Sequence, residues 1–269
     1  MAKSIGMEKE NKTYLESLFG LDGRVALVTG GNGGLGLAIA LALGKAGAKI
    51  VIGARNEAKN KKALDALHEE GVDAIACKMD VTHEADVSAA IEAAIEKYGS
   101  LDILVNNAGI SRPAPAHQLN ETTWNQVIAV NLTGVLICSR EAVKVMKGTK
   151  DKPAKIINIG SAYSRFGGAY VSAYSASKGG VIQLTRSLAV EWAARHICVN
   201  AVLPGWFETE MTAPLKIAPD NLKNIIKRTP FGRFGKPEEL AGAAVFLASS
   251  ASDFITGACV WVDGGYSSA

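Results

Sequence analysis

What most constrains this chain is its rhythm, in which short apolar runs alternate with longer segments of helical periodicity. Runs at residues 24–29 (RVALVT), 49–54 (KIVIGA), 73–79, 102–105, 155–159 (KIINI), 197–203 (ICVNAVL) and 258–262 are largely continuous in apolar character. Strands of that kind are covered on both faces, as in a parallel sheet. Between them the pattern predicts helices over 34–47, 57–70, 84–98, 121–129, 131–146, 172–195 and 237–248, with a polar helical stretch over 211–228. Strand–helix alternation with right-handed crossovers gives an α/β fold. The expectation is a Rossmann-type, doubly wound, seven-stranded parallel sheet with helices on both faces. Residues 1–20 read as an N-terminal extension, disordered apart from a short helix over 13–19. Residues 21–269 read as one domain, with no linker or repeat to divide them.

Composition excludes several classes of function. A chain of 269 residues, 48% of them hydrophobic, builds a core without a disulfide or metal staple. Cys77, Cys138, Cys198 and Cys259 are far apart and unpaired in spacing, so they read as buried, reduced thiols. His68, His83, His117 and His196 form no ligand cluster, and no metal site is expected. A net charge of +3, spread without a basic block, gives no footprint for nucleic acid. The first twenty residues are polar, unlike a secretory signal or membrane anchor. These features predict a cytoplasmic protein with no membrane partner.

The first strand runs into Thr29-Gly30-Gly31-Asn32-Gly33-Gly34-Leu35-Gly36 and then a helix. In that setting a glycine-rich turn lets the backbone approach a pyrophosphate, while the helix N-terminus offers N–H groups and a positive dipole. The glycines fit more than one spacing, G-x-G-x-x-G from Gly31 and G-x-x-G-x-x-G from Gly30 among them. The second strand ends at Ala54-Arg55-Asn56, where a carboxylate selective for NAD would stand. Arg55 instead suits a 2′-phosphate, which favours NADP(H) over NAD(H).

Tyr174 and Lys178 are four residues apart, which places them on one face of a helix. A cation beside the phenol is expected to lower its pKa and fit it for proton exchange with an alcohol or ketone.

The glycine turn at 29–36, Asn106-Asn107-Ala108-Gly109 and Tyr174-Ser-Ala-Ser-Lys178 stand in that order. Together they closely resemble the single-domain branch of the short-chain dehydrogenase/reductase family, over residues 20–269. The resemblance implies that Tyr174 is the catalytic acid/base and that Lys178 binds nicotinamide ribose and tunes the phenol. It implies that Ser161 bonds the substrate oxygen and that Asn131 holds a proton-relay water. On the cofactor side it implies Gly30, Asn32, Gly33, Gly34, Leu35 and Gly36 at the diphosphate, and Asp80 and Val81 at the adenine. Asn107, Ala108 and Gly109 then line the adjoining ribose, and Pro204, Gly205, Phe207 and Thr209 the nicotinamide carboxamide. Phe207 replaces the usual aliphatic residue. Gly160 stands where serine is frequent, which predicts a roomier pocket there. Tyr163 and Trp206 are candidate substrate contacts, and Arg112 a candidate carboxylate clamp.

The implied activity is NADP(H)-dependent interconversion of a ketone and a secondary alcohol by hydride transfer. The style of the chain is similar to gluconate 5-dehydrogenases, 3-oxoacyl-carrier-protein reductases and carbonyl reductases. Alternatives are an NAD-dependent sugar-acid or polyol dehydrogenase, or a non-catalytic NADP sensor. A sensor would keep the glycine turn but lose the Tyr, Lys and Ser set. An enoyl reductase would space Tyr and Lys by seven, where Val181 stands. The resemblance also implies a homotetramer, with the 121–146 and 172–195 helices and the last strand at its interfaces.

Overall fold

The computed structural model describes residues 13–214 and 219–269; the disorder expected for the first dozen residues lies outside them. Its elements are α1 (Tyr14–Phe19), β1 (Val25–Thr29), α2 (Gly34–Lys45), β2 (Lys49–Ala54), α3 (Glu57–Glu69), β3 (Ala74–Lys78), α4 (Glu84–Tyr98), β4 (Ile103–Asn106), α5 (Glu121–Ile128), α6 (Gly134–Val145), β5 (Ala154–Ile159), α7 (Ser172–Trp192), β6 (Ile197–Pro204), α8 (Pro219–Arg228), α9 (Pro237–Ala248) and β7 (Cys259–Val262). The seven strands form one sheet in the order β3-β2-β1-β4-β5-β6-β7, and every neighbouring pair is parallel. The order reverses between β1 and β4, and a crevice opens at the C-terminal ends of the strands on either side of such a switch. Continuous burial of β1, β5 and β6 explains their unbroken apolar character. The core splits into two layers. One packs α2 and α9 against the sheet, and the other packs α4, α6 and α7 against its opposite face.

Four expectations change. Residues 121–145 form one continuous helical run, because a π-helical turn (Ala129–Thr133) joins α5 to α6 where a break was expected. Nothing at Ala129 or Val130 stops a helix, and the extra residue of the turn carries Asn131 inward to complete burial. This run is long and apolar enough to cross a membrane, but half of its most apolar window is buried inside the protein. In the 211–228 stretch only α8 is α-helical among the described residues, with turn residues at 211–212 and 3₁₀ residues at 213–214. α7 ends at Trp192, with a 3₁₀ turn over Ala193–Arg195. Cys77 and Cys259 are half-buried, unlike Cys138 and Cys198. The short α1 forms as expected behind a capping box at Thr13, and Ser250 Oγ donates to the Ser17 and Leu18 carbonyls to hold it.

A buried polar ladder fixes the sheet to α6 and α7. Asn106 and Asn158 are paired neighbours on β4 and β5. Asn106 Nδ2 donates to Asn158 Oδ1 (2.8 Å) and Ser139 Oγ (3.0 Å). Asn158 Nδ2 donates to Thr185 Oγ1 (2.9 Å), which donates to the Val181 carbonyl (2.7 Å). Asn106 Oδ1 alone is left without a partner in this ladder, and the bonds that are made specify one helix position over the sheet.

Candidate active site

The three sequence motifs meet along the C-terminal edge of the sheet. At β1 the turn reverses with Gly30 at φ +64° and Gly34 at φ +51°, a region that favours glycine. Asn107, just past β4, holds it. Its Nδ2 donates to the carbonyls of Thr29 (3.0 Å) and Gly30 (3.2 Å), while Thr29 Oγ1 accepts from the Asn107 and Ala108 N–H groups (3.0 Å each). Gly36 packs against this knot, so a Cβ there would lie 2.3 Å from the Gly30 oxygen and 2.4 Å from Asn107 Nδ2. Gly36→Ala is therefore expected to cost about 2 kcal/mol, as overpacking against backbone does. That is a drop of about 5 °C in melting temperature, with weakened dinucleotide binding, checked by calorimetry and a fluorescence titration.

The turn fits a dinucleotide. Gly33 stands at the N-cap of α2 and offers no side-chain cap, so the first N–H groups of the helix have no side-chain partner. A Cβ on Gly33 would meet nothing within 4 Å, so the space above the turn is open. Asn32 Nδ2 donates to Asn60 Oδ1 (2.7 Å), and Asn60 Nδ2 donates to the Ala54 carbonyl (2.9 Å), tying the turn to the end of β2. Arg55 is exposed there, with Nη1 3.6 Å from Asp80 Oδ2. Burial alone raises the Asp80 pKa, but the Thr82 N–H and hydroxyl and the Arg55 charge bring it below its ordinary value. Val81 is buried beside it, against Gly134.

Tyr174 and Lys178 lie one turn apart on α7, as expected. Lys178 is buried, and its Nζ donates to the Ile159 carbonyl at 2.6 Å and lies 5.8 Å from the Tyr174 ring centroid. Burial lowers its pKa to about 8. Tyr174 retains some accessible surface, yet its phenol is ringed by protein. Burial raises its pKa, and a hydrogen bond with Ser161 opposes the rise. The expected lowering by Lys178 is thus overturned for the protein alone. Desolvation acts on both partners and weakens the ammonium that was to stabilise the phenolate.

Ser161 caps a 3₁₀ turn after β5 and accepts from the Tyr163 N–H (3.2 Å). Asn131 reaches the site from the π-helical turn. Its Oδ1 accepts from Ile110 N–H (2.8 Å), and its Nδ2 donates to the Ile110 carbonyl (2.9 Å) and Ser177 Oγ (3.1 Å). Ser177 Oγ in turn donates to the Tyr174 carbonyl (2.7 Å). The roles of Ile110 and Ser177 were missed. Ser177 lies inside the Tyr–Lys motif, but only the fold brings Ile110 opposite it. Gly109 has Asn131 Oδ1 at 3.5 Å and Lys178 Nζ at 3.7 Å from its would-be Cβ, so the 106–109 segment, Asn131 and Lys178 converge.

After β6, Pro204 and Gly205 lead to Trp206, and Thr209 lies beside Gly34. The Phe207 ring is buried in the core against Gly235, so only its backbone is available to the groove. The pocket is not roomier at Gly160, because Leu203 Cδ2 stands 2.3 Å from a Cβ built there. Tyr163 packs edge-on against both Tyr174 (6.2 Å) and Trp206 (5.9 Å). Arg112 is exposed, and among the described residues it donates only to the adjacent Ser111 carbonyl (3.2 Å).

Comparison with known proteins matches residues 30–267 to a family model described as "Enoyl-(Acyl carrier protein) reductase". The 5-keto-D-gluconate 5-reductase of Escherichia coli is 43% identical over 251 residues, covering 93% of this chain and 98% of that protein. The cis-4-hydroxycyclohexanecarboxylate dehydrogenase of Sinomonas cyclohexanicum is 44% identical over 244 residues, covering 90% of this chain and 96% of that one. A crystal structure of a gluconate 5-dehydrogenase from Burkholderia cenocepacia, in complex with NADP and tartrate, superposes with a TM-score of 0.88 at 41% identity. That match covers 95% of this chain and 100% of the other. Likeness of this extent, on a sheet whose motifs meet at one edge, makes the chain a member of the short-chain dehydrogenase/reductase family and an oxidoreductase acting on CH–OH and C=O groups.

Proposed function

We propose that the protein interconverts a ketone and a secondary alcohol on a small carboxylate-bearing substrate of the sugar-acid class, with NADP(H). The observation that carries this reading is the convergence of Tyr174, Ser161 and Lys178 beside Gly109 and an open glycine turn. The bound nicotinamide supplies hydride transfer at its C4. The chain supplies the rest. Tyr174 Oη gives its proton to the carbonyl oxygen as charge develops there, and Ser161 Oγ donates a second hydrogen bond to the same atom. Lys178 Nζ, buried with a single carbonyl partner, has donors left for ribose hydroxyls. Asn131 holds the Tyr174 turn, through Ser177, against Ile110. Gly30, Asn32, Gly33, Gly34, Leu35 and Gly36 would hold the diphosphate, and Arg55 would pair with a 2′-phosphate.

The NADP in the Burkholderia structure supports the cofactor, and the acids named for the Escherichia and Sinomonas enzymes support the substrate class. The four-residue Tyr174–Lys178 spacing, with Val181 seven positions on, supports ketone rather than enoyl reduction. A spectrophotometric screen with NADPH and NADH against keto acids, sugar acids and neutral ketones tests the reading. Wild type is expected to favour NADPH. Arg55→Ala should raise KM for NADPH roughly 30-fold, the worth of a charge-assisted phosphate contact, with KM for NADH unchanged. A wild type that prefers NADH overturns the role of Arg55.

A further inference from the structure

We infer that Arg228 is the anchor for the substrate's carboxylate: a guanidinium seated in a corner of two aromatic rings that adjoin the Tyr174 site, with N–H donors left for an acid group. This rests on the carbonyl–alcohol reading of that site and adds the group that selects among its substrates. Arg228 is the last residue of α8. Its Cζ lies 4.9 Å from the Phe166 ring centroid and 4.3 Å from that of Tyr266. The two rings stand 6.4 Å apart by centroids and nearly perpendicular, so they form a corner around the guanidinium. Contact with ring faces engages none of its five N–H donors, so the corner holds the group without using them. Among the described residues Arg228 has no carboxylate partner and donates no hydrogen bond. Its neighbours differ. Arg233 forks onto Glu239 with both contacts at 2.7 Å, and Lys59 meets Glu210 at 2.6 Å. Arg112 and Arg165 lie exposed on loops.

The corner is joined to the chemistry through Tyr163. The Tyr163 phenol is raised first by burial, then by Tyr266 and Tyr174, while the Arg228 charge opposes the rise. These groups therefore lie within electrostatic reach of one another, and the Tyr163 ring meets Tyr174 edge-on at 6.2 Å between centroids. Trp206 lies 5.9 Å from Tyr163 and 6.3 Å from Tyr266 by ring centroids, and its buried Nε1 has no hydrogen-bond partner. A substrate with its carbonyl at Tyr174 and an acid group turned towards Tyr266 meets a planar, bidentate donor whose charge no described side chain pairs.

The test compares D-gluconate, gluconamide and cyclohexanol as substrates with NADP. Arg228→Gln is expected to lower kcat/KM for gluconate roughly 100-fold, mainly through KM, and to leave cyclohexanol within about threefold. Arg228→Lys, which keeps the charge but not the fork, should fall between. Wild type alone should discriminate against gluconamide by a similar factor, a comparison that needs no variant. Equal losses on gluconate and cyclohexanol would make Arg228 a packing residue and overturn the inference, as would no loss on either. A wild type that oxidises cyclohexanol but no acid defeats the anchor and leaves the carbonyl–alcohol reading intact. A wild type that oxidises none of the three defeats that reading itself.

Discussion

Tyr174→Phe should lower kcat for ketone reduction about a thousandfold, in the range of a positioned general acid, with the NADPH dissociation constant within about threefold of wild type. Phenylalanine fills nearly the same volume, so the edge-on packing with Tyr163 survives and only the hydroxyl is lost. Single-turnover kinetics, with cofactor binding followed by fluorescence, separate the two effects. Turnover within tenfold of wild type would remove Tyr174 from the chemistry. The pH profile adds a second constraint. Burial keeps the phenol protonated at neutrality, the form that can give a proton. Reduction should therefore stay level through neutral pH. Alcohol oxidation, which needs the ionised form, should climb as pH rises.

Lys178→Met should abolish most turnover and yet stabilise the protein at pH 7. Burial depresses the lysine from 10.5 to about 8, so the folded state holds its proton less tightly than the unfolded chain does. For such a group stability is fully present above the unfolded value and is lost as pH falls through the folded one. Below pH 8 the penalty is complete, about 3 kcal/mol for a shift of that size. Methionine removes it and gives up one hydrogen bond to the Ile159 carbonyl, worth about 1 kcal/mol. The variant should melt several degrees higher at pH 7. The gap should close between pH 8 and 10.5, because only the wild type gains stability there. Scanning calorimetry at pH 7 and pH 10 decides it. A variant less stable than wild type at pH 7 would mean that the ammonium is well solvated or paired in the fold.

Much of the architecture was legible because periodicity reports burial. Helices α4 and α9 and strand β2 begin and end where the pattern places them. The break expected before Asn131 failed because a π-helical turn leaves no compositional mark. The glycine turn and the Tyr–Lys pair were legible because their spacing is local. What supports them was not. Asn32 with Asn60, Asn107 with the Thr29 and Gly30 carbonyls, and Ile110 with Asn131 are partners brought together by the sheet. The sign of the phenol's shift was misread for a related reason. Spacing reveals that a cation is near but not that both groups leave water together. Arg228 escaped notice because its partners, Phe166 and Tyr266, are distant in sequence and carry no charge.

The asparagine knot under the glycine turn has a kinetic consequence. Because Asn107 and Thr29 already fix the strand end, and Asn32 is moored to Asn60, that loop need not freeze when a nucleotide arrives. Little conformational entropy is surrendered on association, so arrival is governed by diffusion and departure by the contacts themselves. A coenzyme held on so stiff a saddle can be exchanged at every cycle, as a co-substrate must be.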